Sequence, residues 1–482
     1  MQTASKKVVN GWAMYDWANS VYNLVITTTF FPLYFLAVTK GDSDEHTVQF
    51  LGRSFVNSSL YDYTLATSYL FIALLYPILT SIADTRGNKK NFMKFFCYMG
   101  AIGCSMLFFF TKDTLGLGIF AFMMAAMGFV GSLVFYNAYL PEIAAPQDRD
   151  RISARGFSFG YVGSVLMQLI GFGLVLTLSD AGMASRITFL LVGIWWISFA
   201  QITFARLPEV KIQPSKKGNV LKDGFVEIKK VYQQVVKMPV LKRFLRGFFF
   251  YSMGVQTVML AATIFGSKVL NLPSTKLILT VVLIQLVAIL GAWGMSKLSA
   301  VYGNLKVLMG VVAFWIVVCL AAFFTANMAA PLNPYHDKAN QMQQELDKLE
   351  DKKSVAFTQK KQELDTYVAS FQPMQAPVEY CFYALAIGVG LVMGGIQSLS
   401  RSTYAKLMPE TKDTASFFSY YDVTEKIAIV IGIFSFGFID ELTGNMKYSV
   451  LSLTVFFAIG FFWLYLAWIK QKSLPNPSEG GA

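Results

Sequence analysis

Asp16, Asn19, Asn23 and Thr27 stand inside an otherwise apolar and aromatic stretch, GWAMYDWANSVYNLVITTTFF, residues 11–31. Counted from Asp16, the polar positions Asn19, Ser20, Asn23 and Thr27 come three, four, seven and eleven residues on, which at helical spacing makes one stripe. Far along the chain, Asp422, Glu425 and Lys426 sit at i, i+3 and i+4 in FFSYYDVTEK. Asp422 and Lys426 have the acid-first spacing that pairs on a helix, which leaves Glu425 as the spare carboxylate. A carboxylate inside a membrane can load and release a proton between two aqueous phases, so Glu425 or Asp16 is the candidate for proton coupling. The bland alternatives are one static ion cluster at 422–426 and a helix-end role for Asp16 and Asn19. Bond-making chemistry has no comparable candidates. The two histidines, His46 and His336, are far apart, and there is no HExxH, GxSxG, Walker loop or Cys/His set with zinc spacing. No enzyme activity, cofactor or metal is expected.

The elements that carry these residues are membrane spans. Of the 482 residues 55% are hydrophobic and 15% charged, with 43 Phe, and the mean hydropathy is +0.48. An ordinary soluble domain carries roughly 25% charge. Apolar runs long enough to cross a bilayer as helices recur at 12–39, 61–83, 92–111, 115–140, 156–179 and 186–206. A second set follows at 244–268, 276–298, 307–329, 378–400, 415–439 and 446–469. The expected class is an all-α integral membrane protein of twelve helices in two six-helix bundles, 1–206 and 244–470. They are joined by a basic linker, 207–243, and followed by a tail, 471–482.

The net charge of +12 is then topological. With both termini cytoplasmic, most lysines and arginines fall on the cytoplasmic side, as the positive-inside rule requires. The linker alone carries Lys211, Lys216, Lys217, Lys222, Lys229, Lys230, Lys237 and Lys242, suited to orientation and to anionic headgroups rather than nucleic acid. Lys6 and Lys7 run into the first span without a small-residue cleavage site, so that span is expected to stay. The four cysteines lie in or beside spans, without the paired external spacing of a disulfide framework. The segment 331–376 is different. It is charged in both signs, with Met342, Leu346, Leu349, Phe357, Leu364, Tyr367 and Val368 near helical spacing, and predicts one or two amphipathic helices outside the membrane between the ninth and tenth spans.

Two loops repeat. After the second span comes ILTSIADTRGNKKNF, where Asp84 closes the helix, Gly87 permits a tight turn, and Arg86, Lys89 and Lys90 crowd the surface. After the eighth span, Gly303-Asn304-x-Lys306 echoes Gly87-Asn88-x-Lys90, with Ala300 where the aspartate would be. The first loop resembles the signature loop of the major facilitator superfamily, although Thr80 stands where that pattern has glycine. Adding YDWANSVY, YNAYLPEIA, RISARGFSFGYVGS, GGIQSLSRSTYAKLMPE and FFSYYDVTEK, nearly the whole chain resembles the autophagy-linked vacuole effluxer branch of that superfamily, the insertion excepted.

The resemblance implies a secondary transporter and, for fungal members, export of amino acids from the vacuole; transport by alternating access, by a monomer in the cell (inner) membrane, is expected. It implies that the first, fourth, seventh and tenth helices line the path. Candidate path residues are Tyr15, Asp16, Asn19, Asn23, Tyr136, Asn137, Gln256 and Gln397, joined by Tyr161 and Gln168 on the fifth helix; the alternative for each is an interhelical hydrogen bond. It also implies a cytoplasmic gate in which Asp84 meets the N-terminus of the eleventh helix. The other gate candidates are Arg86, Gly87, Glu142, Arg151, Arg155 and Arg401. A non-transporting receptor, scramblase or embedded enzyme is the competing class.

Overall fold

The computed structural model describes residues 2–40, 47–86, 88–209, 220–347, 349 and 355–474. Twelve helices long enough to span a bilayer dominate the described residues. Numbered in chain order as spans, they are span 1 (Lys6–Val38), span 2 (Asn57–Arg86), span 3 (Lys89–Met106), span 4 (Leu115–Ala138), span 5 (Arg149–Thr177) and span 6 (Ala181–Arg206). The second set comprises span 7 (Pro239–Lys268), span 8 (Ser274–Tyr302), span 9 (Asn304–Ala329), span 10 (Val355–Leu407), span 11 (Thr414–Thr443) and span 12 (Met446–Lys472). Eleven are apolar throughout a bilayer-length window. Span 11 is the exception, because Asp422, Glu425, Lys426, Asp440 and Glu441 interrupt it. Asp422 is buried and Glu425 and Lys426 are half-buried against protein, which lowers their cost in a span, while Asp440 and Glu441 lie in the last four residues of the helix.

Spans 1–6 pack on one another and so do spans 7–12, and the two sets meet chiefly where span 2 lies on span 11 and span 5 on span 8. Small residues let backbones approach. On span 5 a Cβ at Gly156 would lie 2.4 Å from Asp16 Oδ2, at Gly160 2.4 Å from Ser20 Oγ, and at Gly163 2.8 Å from the Trp17 carbonyl oxygen. The polar stripe of span 1 therefore avoids lipid by lying against the glycine face of span 5. The first six spans are further filled by stacked rings, Phe31 on Phe122 at 4.3 Å and Tyr61 on Phe122 at 5.2 Å.

The end that carries the N-terminus, the turns at 86–89, 139–149, 302–304 and 407–414 and the end of span 12 is called here the basic end. At its 302–304 turn Gly303 has φ +83°, a conformation that favours glycine. Four features depart from expectation. Span 1 is not α-helical throughout: Tyr22–Phe30 is a π-helix, with Thr28 Oγ1 donating to the Asn23 carbonyl and Thr29 Oγ1 to the Leu24 carbonyl. The stripe counted at α-helical spacing therefore holds only as far as Val21. A two-stranded hairpin, Thr47–Phe50 with Arg53–Val56, follows span 1 and turns through Leu51 and Gly52 at positive φ.

The segment 331–376 holds a helix, Asn333–Asp347, and then belongs to span 10, which runs unbroken for 53 residues. At 1.5 Å per residue that is about 80 Å, more than twice the hydrocarbon thickness, so its first half projects beyond the span region opposite the basic end. The linker contains a helix, Val220–Lys237, separated from span 7 by Met238 alone. Gly87, Lys211, Lys216, Lys217 and the tail from 475 lie outside the described residues, as does the side chain of Arg86.

Candidate functional site

The centre of the molecule is an ion pair. Asp16 of span 1 and Arg401 of span 10 are each 4% exposed. Asp16 Oδ2 accepts from the Tyr136 hydroxyl at 2.7 Å and from Arg401 Nη1 and Nη2 at 3.3 Å. The guanidinium spends its remaining donors on span 5 and span 4: Nε on Ser153 Oγ at 2.9 Å, Nη2 on the Ser153 carbonyl at 2.9 Å, and Nη1 on Asn137 Oδ1 at 3.3 Å. Rings of Phe157, Trp12 and Tyr136 surround it at 4.2, 4.8 and 5.5 Å. A buried pair repays its desolvation better when its other hydrogen-bonding positions are filled, and the guanidinium's donors all are, while Asp16 Oδ2 takes the Tyr136 hydroxyl as well. The expected tenth span, 378–400, stops short of Arg401, but span 10 continues to Leu407 and takes Arg401 inside. The run SRSTYAK ends the apolar signal about two turns before the helix ends.

The remaining path candidates separate. Tyr15 is fully buried between Tyr136 and Phe204 within the first six spans, not on the line between the halves. Asn19 is buried beside Ser20, whose hydroxyl donates to Asn19 Oδ1 at 3.4 Å, and Asn23 is half-buried at the start of the π-helix. Three amides form links between spans. The Tyr161 hydroxyl donates to Gln397 Oε1 at 2.8 Å, Gln285 Nε2 to Gln168 Oε1 at 3.0 Å, and Gln168 Nε2 to Thr29 Oγ1 at 3.0 Å. The interhelical alternative describes this geometry, and the first two links join the two halves.

The pairing expected on span 11 is reversed. Lys426 Nζ lies 3.1 Å from Glu425 Oε2 and over the Tyr69 ring of span 2, and Gln256 Nε2 donates to the other Glu425 oxygen at 3.3 Å. Asp422 is the spare carboxylate, buried, with Oδ2 lacking any hydrogen-bond partner. It sits beside Asn137 and within electrostatic reach of Lys426, Glu425 and Arg401. The lysine is drawn sideways to an aromatic face on the neighbouring span, and a one-helix spacing rule contains no such neighbour. Asp16, Arg401, Asn137, Asp422 and the Glu425–Lys426 pair thus form one polar line through spans 1, 10, 4 and 11.

Below that line the basic end is held shut by two locks. In the first, Asp84 Oδ1 accepts from the Ala415 backbone N–H at 3.2 Å, and Oδ2 from the N–H and hydroxyl of Ser416 at 2.8 Å each. A carboxylate there meets the open amides and positive dipole of span 11. Lys89 bridges Asp84 at 3.3 Å and Glu142, and donates to Thr414 Oγ1 at 2.6 Å. In the second, Asp150 accepts from Ser299 Oγ at 2.7 Å, Lys406 Nζ at 2.6 Å and Asn304 Nδ2 at 2.7 Å. Arg149 Nη1 donates to the Ala405 carbonyl at 2.6 Å.

Arg151 and Arg155, the gate candidates on span 5, do not cross the halves: Arg151 pairs with its neighbour Asp148 and is 75% exposed, and Arg155 is exposed over Phe159. Positions i and i+4 share a face; 149, 150 and 153 face the other half, and 151 and 155 face away. The signal for Asp150 was in the repeat itself. Asn304 keeps the place of Asn88, and the acid missing at Ala300 is supplied from the first turn of span 5.

Asp150→Asn is expected to loosen the second lock. The readout is Ser402→Cys, an isosteric change at a fully buried position one turn from Lys406. Its maleimide labelling from the basic side should rise about tenfold, since hydrogen bonds to charged groups are worth about 1.5–3 kcal/mol. Protection should return in the swapped pair Asp150→Lys with Lys406→Asp; no recovery would show that the contact is incidental.

The sequence profile described as "Vacuole effluxer Atg22 like" matches residues 4–333 and 366–473. The chain belongs to that family. The gap between the two matched stretches, 334–365, falls within the inserted segment. The chain is 28% identical over 488 residues to the "Uncharacterized MFS-type transporter YxiO" of Bacillus subtilis (strain 168), covering 98% of this chain and 97% of that one. It is 22% identical over 506 residues to Autophagy-related protein 22 of Saccharomyces cerevisiae (strain ATCC 204508 / S288c), covering 92% and 88%. Among solved structures it resembles an outward-facing bacterial homologue of the iron transporter ferroportin, with a TM-score of 0.62, 13% identity and coverage of 97% and 99%. The proton:xylose symporter XylE gives 0.63, 11%, and 97% and 95%. These place the chain in the twelve-helix major facilitator fold. It is a multi-pass membrane transporter rather than an enzyme.

Proposed function

We propose that this family member exports small zwitterionic solutes, amino acids first among them, by alternating access across the cell (inner) membrane. The basic end and both termini are cytoplasmic, and the working unit is the monomer. The observation that carries the reading is the buried Asp16–Arg401 pair, which ties span 1 to span 10 across the two halves and must part for the basic end to open. The half-buried amides Asn23, Gln256 and Gln397 and the buried Tyr161 hydroxyl offer polar groups with few fixed charges, which fits a small zwitterion better than a polyanion. Amino acids are favoured because the family is described as vacuole-effluxer-like and the resemblance implies amino-acid export for its fungal members. The basic end is the cytoplasmic one because lysine and arginine gather on the inner side of membranes.

Coupling to protons runs through the polar line, with Asp422 as the carrying carboxylate in place of Glu425. Asp84, Glu142 and Arg401 act as gate residues, with Arg86 and Gly87 two and three residues after Asp84 in the sequence. The test is release of labelled amino acids from liposomes containing the purified protein, with and without an imposed pH gradient. Saturable release of particular amino acids that responds to the gradient supports both parts. Release indifferent to the gradient removes the coupling, and no release in folded protein removes the substrate class.

A further inference from the structure

We infer that the linker helix Val220–Lys237 is an arm of the C-terminal half that clasps span 2 of the N-terminal half while the basic end is closed, and lets go when it opens. Only Met238 separates the helix from Pro239, the first residue of span 7, so the arm moves with the C-terminal half. The start of the same linker stays with the other half: Lys90 Nζ donates to the Leu207 carbonyl at 3.1 Å and lies 3.3 Å from Glu209. Yet the arm packs principally on span 2, and also on spans 11 and 7. Val231 and Val235 are buried at 1% and 3%, an i, i+4 pair on one face. Lys230, on the outer side, holds Asp413 Oδ2 at 2.7 Å, next to Thr414, where the first lock closes.

Spans 2 and 11 are the two elements that Asp84 joins. An arm fixed to one half and seated on the other has to be stripped from span 2 when those spans part, and its valine face is then wetted. The clasp thus adds apolar burial to the polar locks, and supplies a restraint that salt does not screen. Val226, Tyr232 and Val236 are exposed on the arm in the closed form, so its outer surface is already free of the bundle.

The inference rests on alternating access but not on any substrate, and its test reads accessibility alone. In protein whose four native cysteines are replaced, Val231→Cys is labelled with a maleimide, alone and together with Asp84→Asn. Labelling slow in the single variant and at least about tenfold faster with Asp84→Asn, the effect of uncovering a buried valine, is the expected result. Equal rates in the two overturn the clasp, whether both are fast or both slow. As a reciprocal measurement, Val231→Asp with Val235→Asp should expose Ser402→Cys to labelling from the basic side by a similar factor; unchanged protection of Ser402→Cys shows an arm that bears no load. Transport that fails while both labelling results hold would remove the substrate reading and leave the clasp standing.

Discussion

Arg401→Ala is expected to abolish transport and to destabilise the protein, and Asp16→Ala to do nearly the same, while the double variant loses little more than either alone. Each single change strands a buried charge: without Arg401 the Asp16 carboxylate keeps only the Tyr136 hydroxyl, and without Asp16 the guanidinium keeps Ser153 and Asn137 but no anion. Breaking one side of such a pair costs about 3–5 kcal/mol. The two losses overlap, so their sum should exceed the double variant by a coupling energy of about 1–3 kcal/mol. Thermal unfolding in detergent of the four proteins checks this. Additive losses would mean that the two groups act separately and that the pair does not hold the halves. Gly156→Ala should behave as a weaker version of the same lesion, since its methyl group would lie 2.4 Å from Asp16 Oδ2 and push that oxygen aside.

The second large effect is expected at Asp422. Asp422→Asn should leave exchange between equal pools of solute nearly intact while gradient-driven accumulation collapses. Moving one proton per solute down one pH unit is worth about tenfold in concentration, and that factor should vanish. The reason is positional. Asp422 Oδ2 is a buried acceptor with no protein donor, so it has room for a proton, whereas Glu425 is already engaged by Lys426 and Gln256. Glu425→Gln should instead weaken folding and exchange together, with the gradient dependence kept. If Glu425→Gln alone removes the gradient dependence, the assignment within span 11 is reversed.

The twelve spans were legible because apolar length is a property of each segment by itself, and even span 11 survived the three charges in its interior, Asp422, Glu425 and Lys426. The two halves and the Asp84 contact followed from a repeat and a resemblance. What could not be read are features decided between segments. The choice of Glu425 over Asp422 as partner of Lys426 depends on Tyr69 of span 2. Arg401 reads as a surface charge until Trp12, Phe157 and Tyr136 are brought around it. The π-helix at Tyr22–Phe30 changes which residues share a face without any proline or glycine to announce it. Arg149, Arg151 and Arg155 are alike by charge, and only the helical step of about 100° separates Arg149 and Asp150, which face the other half, from Arg151 and Arg155, which do not. The linker arm was hidden because lysine dominates its composition, while its two buried valines matter for its packing.

The polar line through Asp16 and Arg401 as the route of a solute carrier is the central claim, and counterflow tests it without assuming a driving ion. Liposomes holding the purified protein are loaded with a mixture of unlabelled amino acids, and uptake of each labelled one is followed, for the unchanged protein and for Asp16→Ala. Saturable, transient accumulation of particular amino acids, lost in the Asp16 variant while that variant remains folded, is the predicted result. Accumulation that persists undiminished in Asp16→Ala would contradict the route, and no accumulation of any amino acid by the folded, unchanged protein would contradict the assignment of its cargo.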